Sequence, residues 1–256
     1  MLWEEEETPR DVFFEAVCEG DLEKVRECVA AGAKAGWVDD FGMQALHFAS
    51  GGGHIEVVRF LIACGADVNA ADGIAGGQPL HHAAGKGRLA AAEILLEKGA
   101  KADAADDMGQ HPLHLAAEKG ALSIAMLLLE NGAAVDPRDD LLRMTPLHLA
   151  AEKGHLAMAE FLLEKGAAIN AANEVGDTPL HMAAGRGDLP MAEILVLCGA
   201  DLQAGDSRGQ TPVEKAAGHP EVLEFLTECR DSAGSLRALR ALRRRLDSLR
   251  PKGPTL

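Results

Sequence analysis

Thr145-Pro146-Leu147-His148-Leu149-Ala150-Ala151-Glu152-Lys153-Gly154 reads as one short helix from start to stop. Thr145 is a good N-cap residue, and Pro146 falls at the first helical position, where a missing N–H costs nothing. Ala150 and Ala151 are small enough to let neighbouring backbones approach, and Gly154 stops the helix. A second helix follows, with Leu156, Ala159, Leu162 and Leu163 at helical spacing. Gly166 then supplies the left-handed residue that ends it.

The same block recurs along the chain. Gln44-Ala45-Leu46-His47, Gln78-Pro79-Leu80-His81, His111-Pro112-Leu113-His114, Thr178-Pro179-Leu180-His181 and Thr211-Pro212-Val213-Glu214 lie 33 or 34 residues from their neighbours. Counting back from Gln44 reaches Asp11, which opens a degenerate copy. Seven units therefore begin near residues 11, 44, 78, 111, 145, 178 and 211. Self-similarity at this period marks a stack of supersecondary units. Units three and five carry one extra residue before the block, near Gly73-Ile74-Ala75 and Asp140-Leu141-Leu142, so bulged fingers are expected there.

The wording of the repeat resembles that of the ankyrin family over about residues 9–230. Thr145 to His155, followed by Phe161-Leu162-Leu163-Glu164-Lys165-Gly166-Ala167, is close to that family's consensus. The resemblance implies an all-α solenoid of helix pairs, with β-turn fingers on one side and a concave face that binds proteins. It also implies an asparagine-hydroxylation site at Asn69, from the stretch Leu61 to Asn69. In length and repeat count alone the array is similar to the assembly chaperone gankyrin. The first unit, with Glu15, Glu19, Glu23, Lys24 and Glu27, reads as a polar cap, and the last, with Glu214 and a shortened loop, as the other.

Composition agrees with this reading and narrows function. Of 256 residues 47% are apolar but only 4% aromatic, and Ala and Leu dominate, as suits stacked helices. No apolar run has the 18 or more residues of a membrane span. The N-terminus, with Glu4 to Glu7, has the wrong charge for a targeting peptide. Five scattered cysteines form no C-x-x-C pair, which suits a reducing compartment: the cytoplasm, with the nucleus as alternative. Cys64 and Cys198 share one slot and are read as small packing residues.

Net charge is −15, while residues 233–256 hold seven Lys or Arg and one Asp, so residues 1–232 carry −21. An acidic body disfavours nucleic acid as a ligand. Three regions follow: an acidic segment 1–8, the repeats 9–232, and a basic tail 233–256.

Catalysis and cofactors have no support in the sequence. G-x-x-x-x-G-K-[ST] and G-x-S-x-G do not occur, so no catalytic residue and no cofactor are expected. His47, His81, His114, His148 and His181 occupy one slot and sit a repeat apart, so they are expected to bridge neighbouring turns rather than to bind metal.

The residues the repeat does not dictate lie at the finger tips: Asp40-Phe41, Ile74, Asp107-Met108, Leu141-Leu142, Glu174-Val175 and Ser207-Arg208. Either these apolar and acidic tips form a stripe that a protein partner covers, or each folds back on its own finger. The first Asp of each finger has a turn-closing role open to it. The second, at Asp40, Asp107 and Asp140, has none, and points to a partner rich in Lys or Arg.

In the tail, Leu236, Leu239, Leu242, Leu246 and Leu249 draw an apolar stripe among Arg237, Arg240, Arg243, Arg244, Arg245 and Arg250. Three destinations are open for it: the array itself, a partner or anionic membrane surface, and nuclear import. Leu239, Arg243, Arg244, Arg245 and Leu246 are the residues expected to carry such contacts.

Overall fold

The computed structural model describes residues 8–231. The tail residues Leu239, Arg243, Arg244, Arg245 and Leu246 lie outside the described residues, as do the first seven residues of the acidic segment. The described chain is helical, with no strand and one antiparallel bridge, Val38 to Gln44.

Two compact units divide the chain, Met1–Leu141 and Leu142–Leu256. The first holds four helix pairs: α1 (Pro9–Glu19) with α2 (Leu22–Ala30), α3 (Ala45–Gly52) with α4 (Ile55–Ala63), α5 (Pro79–Gly85) with α6 (Leu89–Glu97), and α7 (Pro112–Lys119) with α8 (Leu122–Glu130). The first helices stack in the order α1, α3, α5, α7, and the second helices form a parallel layer, α2, α4, α6, α8. In the second unit α9 (Pro146–Lys153) pairs with α10 (Leu156–Glu164), α11 (Pro179–Arg186) with α12 (Leu189–Leu197), and α13 (Pro212–Lys215) with α14 (Pro220–Asp231). The same two layers recur there, α9, α11, α13 and α10, α12, α14.

The block's Leu and the second helix's inward Leu make the core between the layers. Leu46 with Leu61, Leu80 with Leu95, and Leu113 with Leu128 are fully buried in the first unit, as are Leu147 with Leu162 and Leu180 with Leu195 in the second. Each such side chain contributes about 2 kcal/mol by burial. The Ala pairs (Ala83-Ala84, Ala116-Ala117, Ala150-Ala151, Ala183-Ala184) are also fully buried, where a larger residue would force the stack apart.

The ends depart from the plain repeat. Thr8, not Asp11, caps α1, and the carboxyl of Asp11 returns the bond to the Thr8 N–H, so the first helix starts a turn earlier than the repeat spacing predicts. Phe13 fills the Leu slot and meets Trp37 edge-on at 5.9 Å, an aromatic closure of this end. In the last unit the first helix shrinks to four residues, continued by a 3-10 turn, Ala216–Gly218. Glu214 does there what histidine does elsewhere, accepting from the Thr211 N–H at 2.6 Å.

Thr145 and Thr178 are N-cap residues as the sequence suggests, and each stands in a capping box with the His three positions on. The Thr145 hydroxyl accepts the His148 N–H at 3.5 Å, a long bond. The His three positions on reaches back. His47, His81, His114, His148 and His181 each accept the cap residue's N–H through Nδ1, at 3.0 to 3.1 Å. The proton then sits on Nε2, which donates across to the next finger: His47 to the Ala70 carbonyl, His81 to Gln110 and His114 to Pro137. His148 likewise donates to Asp177, and His181 to Gln210. The expected bridging role is what the structure shows.

This arrangement makes stability pH-dependent. Burial, and then the neighbouring His82, hold His47 below its ordinary value of 6.5, and burial does the same at His81. The unfolded chain therefore takes up protons first as pH falls, so the contribution of these two residues is present above 6.5 and lost below it. The urea midpoint should fall between about pH 7.5 and pH 5. A His47→Gln, His81→Gln chain should show a flatter pH profile, and an equal slope in both proteins would contradict this account.

The extra residues of units three and five are absorbed in their fingers. Regular fingers close from the N–H of a first Asx to the carbonyl four residues on, as Asp39 to Met43 and Asp106 to Gln110. In unit three the closure runs from Asp72 to Gly77, one residue longer. In unit five the left-handed position that glycine fills elsewhere falls on Arg143, at φ 53°. A side chain there costs about 1 kcal/mol. Arg143→Gly should raise stability by about 0.5–1 kcal/mol, read as a higher urea midpoint; a lower midpoint would show that the Arg side chain matters more than the backbone.

Candidate functional site: the finger edge

Each finger is built from its first Asx. Asp39 Oδ1 accepts the N–H groups of Phe41 and Met43 at 2.9 and 2.8 Å, and Asp106 Oδ1 those of Met108 and Gln110, both at 2.8 Å. Asp72 does the same for Ile74 and Ala75, and Asn173 for Val175 and Asp177. This is the turn-closing role expected of the first acidic residue.

Neighbouring fingers are then stitched tip to tip. In the first unit the Asp107 N–H donates to the Ala75 carbonyl at 2.7 Å, and the Asp140 N–H to Met108 at 2.9 Å. In the second unit Glu174 donates to Leu142 and Ser207 to Val175. The first two fingers meet through glycines: a Cβ on Gly42, itself at φ 75°, would lie 2.7 Å from the Gly73 Cα. That contact fixes Gly at both positions.

Held on this frame, the tip side chains point outward. Phe41 is 67% exposed, Ile74 64% and Leu141 71%, with Met108 also exposed in the first unit and Leu142 and Val175 in the second. With Val38, which the sequence reading missed, the fingers supply seven of the eight large apolar side chains exposed among the described residues. Met126 on α8 is the other. The tips do not fold back.

The charged tip residues are placed as follows. Asp40 is exposed and pairs with Arg10 at 2.5 Å. Asp107, Glu174 and Arg208 are exposed too, as is Asp140. Asp40, Phe41, Ile74, Asp107, Met108 and Leu141 thus share the edge of the first unit, and Leu142, Glu174, Val175 and Arg208 that of the second. Asn69 sits off the edge: its Nδ2 donates to the Gly99 carbonyl and its Oδ1 accepts the Lys101 N–H at 2.9 Å. Hydroxylation there would act on a side chain already clamped between two repeats.

One further set of residues escaped the sequence reading. The residue after the bridging His, or after Glu214 in the last unit, changes from unit to unit (Phe48, His82, Leu115, Leu149, Met182, Lys215), and at His82 and Lys215 it reaches finger carboxylates. His82 Nε2 lies 2.9 Å from Asp72 Oδ2. Burial pushes the Asp72 carboxyl up, but the N–H of Ala75, the His82 ring and the N–H of Ile74 outweigh it and hold it at about 2. Lys215 binds Asp177 and Asp206 at 3.1 and 3.0 Å, and its hydrogen bond is the main reason Asp206 also sits at about 2. Variation at this one slot, among fixed neighbours, was the available signal.

Among the described residues no three His, Cys, Asp or Glu side chains converge as metal ligands, and no helix is long and apolar enough to cross a membrane.

Three copies of a family model described as ankyrin repeats match residues 13–106, 100–173 and 169–234. The chain is an ankyrin-repeat protein. Its fold is similar to the ankyrin repeat domain of human ASB11, with a TM-score of 0.77 and 30% identity over 84% of this chain and 96% of that one. A stretch of 75 residues is 40% identical to the palmitoyltransferase AKR1 of Eremothecium gossypii, which is 27% of this chain and 10% of that protein. The match therefore spans about a tenth of that relative's length. Ankyrin repeats make it a protein–protein interaction domain.

Proposed function

We propose that this chain is a non-catalytic scaffold or adaptor that binds a partner protein along the finger edge, without a cofactor. The observation that carries this reading is the concentration of exposed apolar side chains on fingers that are hydrogen-bonded to one another. Exposed apolar surface is costly unless something covers it. A pre-stitched edge loses little entropy on binding, which favours affinity.

The acidic tips select the partner's chemistry. Asp107, Asp140 and Glu174 are exposed beside Met108, Leu141 and Val175, so the fitting surface carries Lys or Arg around apolar patches. Such charges speed encounter more than they tighten the complex. The variable slot at Phe48, His82 and Leu115 extends the surface inward from the fingers. The proposed site of action is the cytoplasm or nucleus.

The test is affinity purification with the full chain and with a Phe41→Ala, Met108→Ala variant. Loss of a partner from the variant supports the reading; retention of every partner sinks it.

A further inference from the structure

α12 does not look like its counterparts. Met191 to Val196 are all buried, and Glu193 and Val196 are 3% and 8% exposed. In α4 and α6, which are flanked by second helices on both sides just as α12 is, the same two slots stay open. Arg59 and Glu93, in the slot of Glu193, are exposed, and Ile62 and Leu96, in the slot of Val196, are half-buried. The three residues by which α14 is longer are Cys229, which holds the slot of Cys198, Arg230 and Asp231, and the Glu193 carboxylate acts on the Cys229 thiol.

Beside this face lies a groove of about 310 Å3 between α10 and α12. Leu163, Ile169 and Ile194 form its floor, and Glu160 and Glu164 its lip, with no basic residue in the lining. Cys198 closes one end. It is exposed rather than packed away as its slot suggested, and burial, then Glu160, push its thiol up. The face and groove together ask for a ligand with an apolar stripe and several cations.

Such a segment starts within reach. α14 packs beside α12 and ends at Asp231. Residues 235–251 follow directly, with five leucines in one stripe and six arginines around them. A helix of this length spans about 25 Å, enough to cross two neighbouring helices. Alone in water it is marginal, so it gains from a surface that orders it.

We propose that residues 235–251 dock on the outer face of α10 and α12, their leucines over Val196 and the groove floor and their arginines against Glu160 and Glu164. The acidic body is then the tail's own counter-charge, and the tail's apolar stripe is withheld from other surfaces.

Trypsin reads this directly, because every arginine of the tail except Arg250, which precedes Pro251, is a cleavage site. Cleavage after Arg243, Arg244 and Arg245 in the full chain is compared by mass spectrometry with cleavage of a synthetic peptide of residues 233–256. The full chain should be cut about tenfold more slowly or less, since cutting tracks the open population. Higher salt should speed the cut by screening the exposed charges. Two variants should each restore the peptide's rate: Glu160→Lys with Glu164→Lys on the array, and Leu242→Asp with Leu246→Asp on the tail. Circular dichroism checks that the array of each is folded, and the tail variant leaves every described residue intact. Wild-type cleavage at the peptide's rate would overturn the proposal. So would protection that neither variant relieves, or protection that needs phosphatidylserine vesicles, which would assign the tail to a membrane.

Discussion

His114→Ala should cost about 3–4 kcal/mol, a large part of the roughly 5–15 kcal/mol that holds a domain folded. The imidazole is fully buried and makes two bonds at once: Nδ1 accepts the His111 N–H at 3.0 Å, and Nε2 donates to the Pro137 carbonyl at 3.1 Å. Truncation strands a backbone N–H at a helix start and a carbonyl in the next finger. Each orphaned buried group costs about 1–3 kcal/mol, and the space left by the ring adds to that. Since the Pro137 bond couples one repeat to its neighbour, the loss falls on the interface that makes unfolding cooperative. Urea denaturation followed by circular dichroism should show a lower midpoint and a broader transition. His54→Ala is the control: its Nε2 reaches the Cys18 carbonyl at 2.9 Å in an exposed setting, where water replaces the lost bond, so about 1 kcal/mol or less is expected. Equal losses at the two positions would refute the bridging account.

The contrast between these histidines shows what the sequence could convey. Periodicity alone located the helix pairs, because Leu, Ala-Ala and Gly recur wherever a core, a close approach and a left-handed stop are needed. It also marked His114 and its four counterparts as structural, since one slot in five copies serves the repeat and not a ligand. The chemistry of that slot was less legible. Thr145 and Thr178 are caps, as their residue type suggests, but the His three positions on takes the cap's N–H in both, and in copies whose cap residue is Gln or His. A cap that works by reaching back across a turn cannot be read from the first residue alone. The start of α1 was misplaced for a related reason: the spacing fixed Phe13 in its core slot but said nothing of the extra turn before it.

Tip exposure was harder still. Phe41 and Ile74 could as well have folded onto their own fingers, and sequence offers no distance to decide this. The deciding contacts are backbone bonds between fingers, such as Asp107 to Ala75, which every residue type but proline can donate. At α12, by contrast, the signal was present: LPMAEILVL carries one charged residue, Glu193, against two in IEVVRFLIA of α4. It is an exception to the repeat and stands out once the repeat has been accounted for.

The second large effect is expected at those tips. Phe41→Ala with Met108→Ala should weaken the partner complex by about 2–4 kcal/mol while leaving the melting curve unchanged. Few interface residues carry most of the energy, and large apolar anchors held rigidly are the ones that do. Phe41 meets both conditions: its ring is 67% exposed, and its N–H is fixed to Asp39 Oδ1 at 2.9 Å, so truncation removes contact area without freeing the finger. Met126→Ala on α8 removes a comparable exposed side chain away from the fingers and should leave binding intact. Asp107→Asn with Asp140→Asn separates charge from contact: it should slow association and flatten its salt dependence while dissociation changes little. If the Phe41 and Met108 truncations leave affinity unchanged while Asp107→Asn and Asp140→Asn abolish it, the fingers bind by charge alone. If Met126→Ala weakens the complex as much as the tip variant, the partner covers the outer layer and not the finger edge.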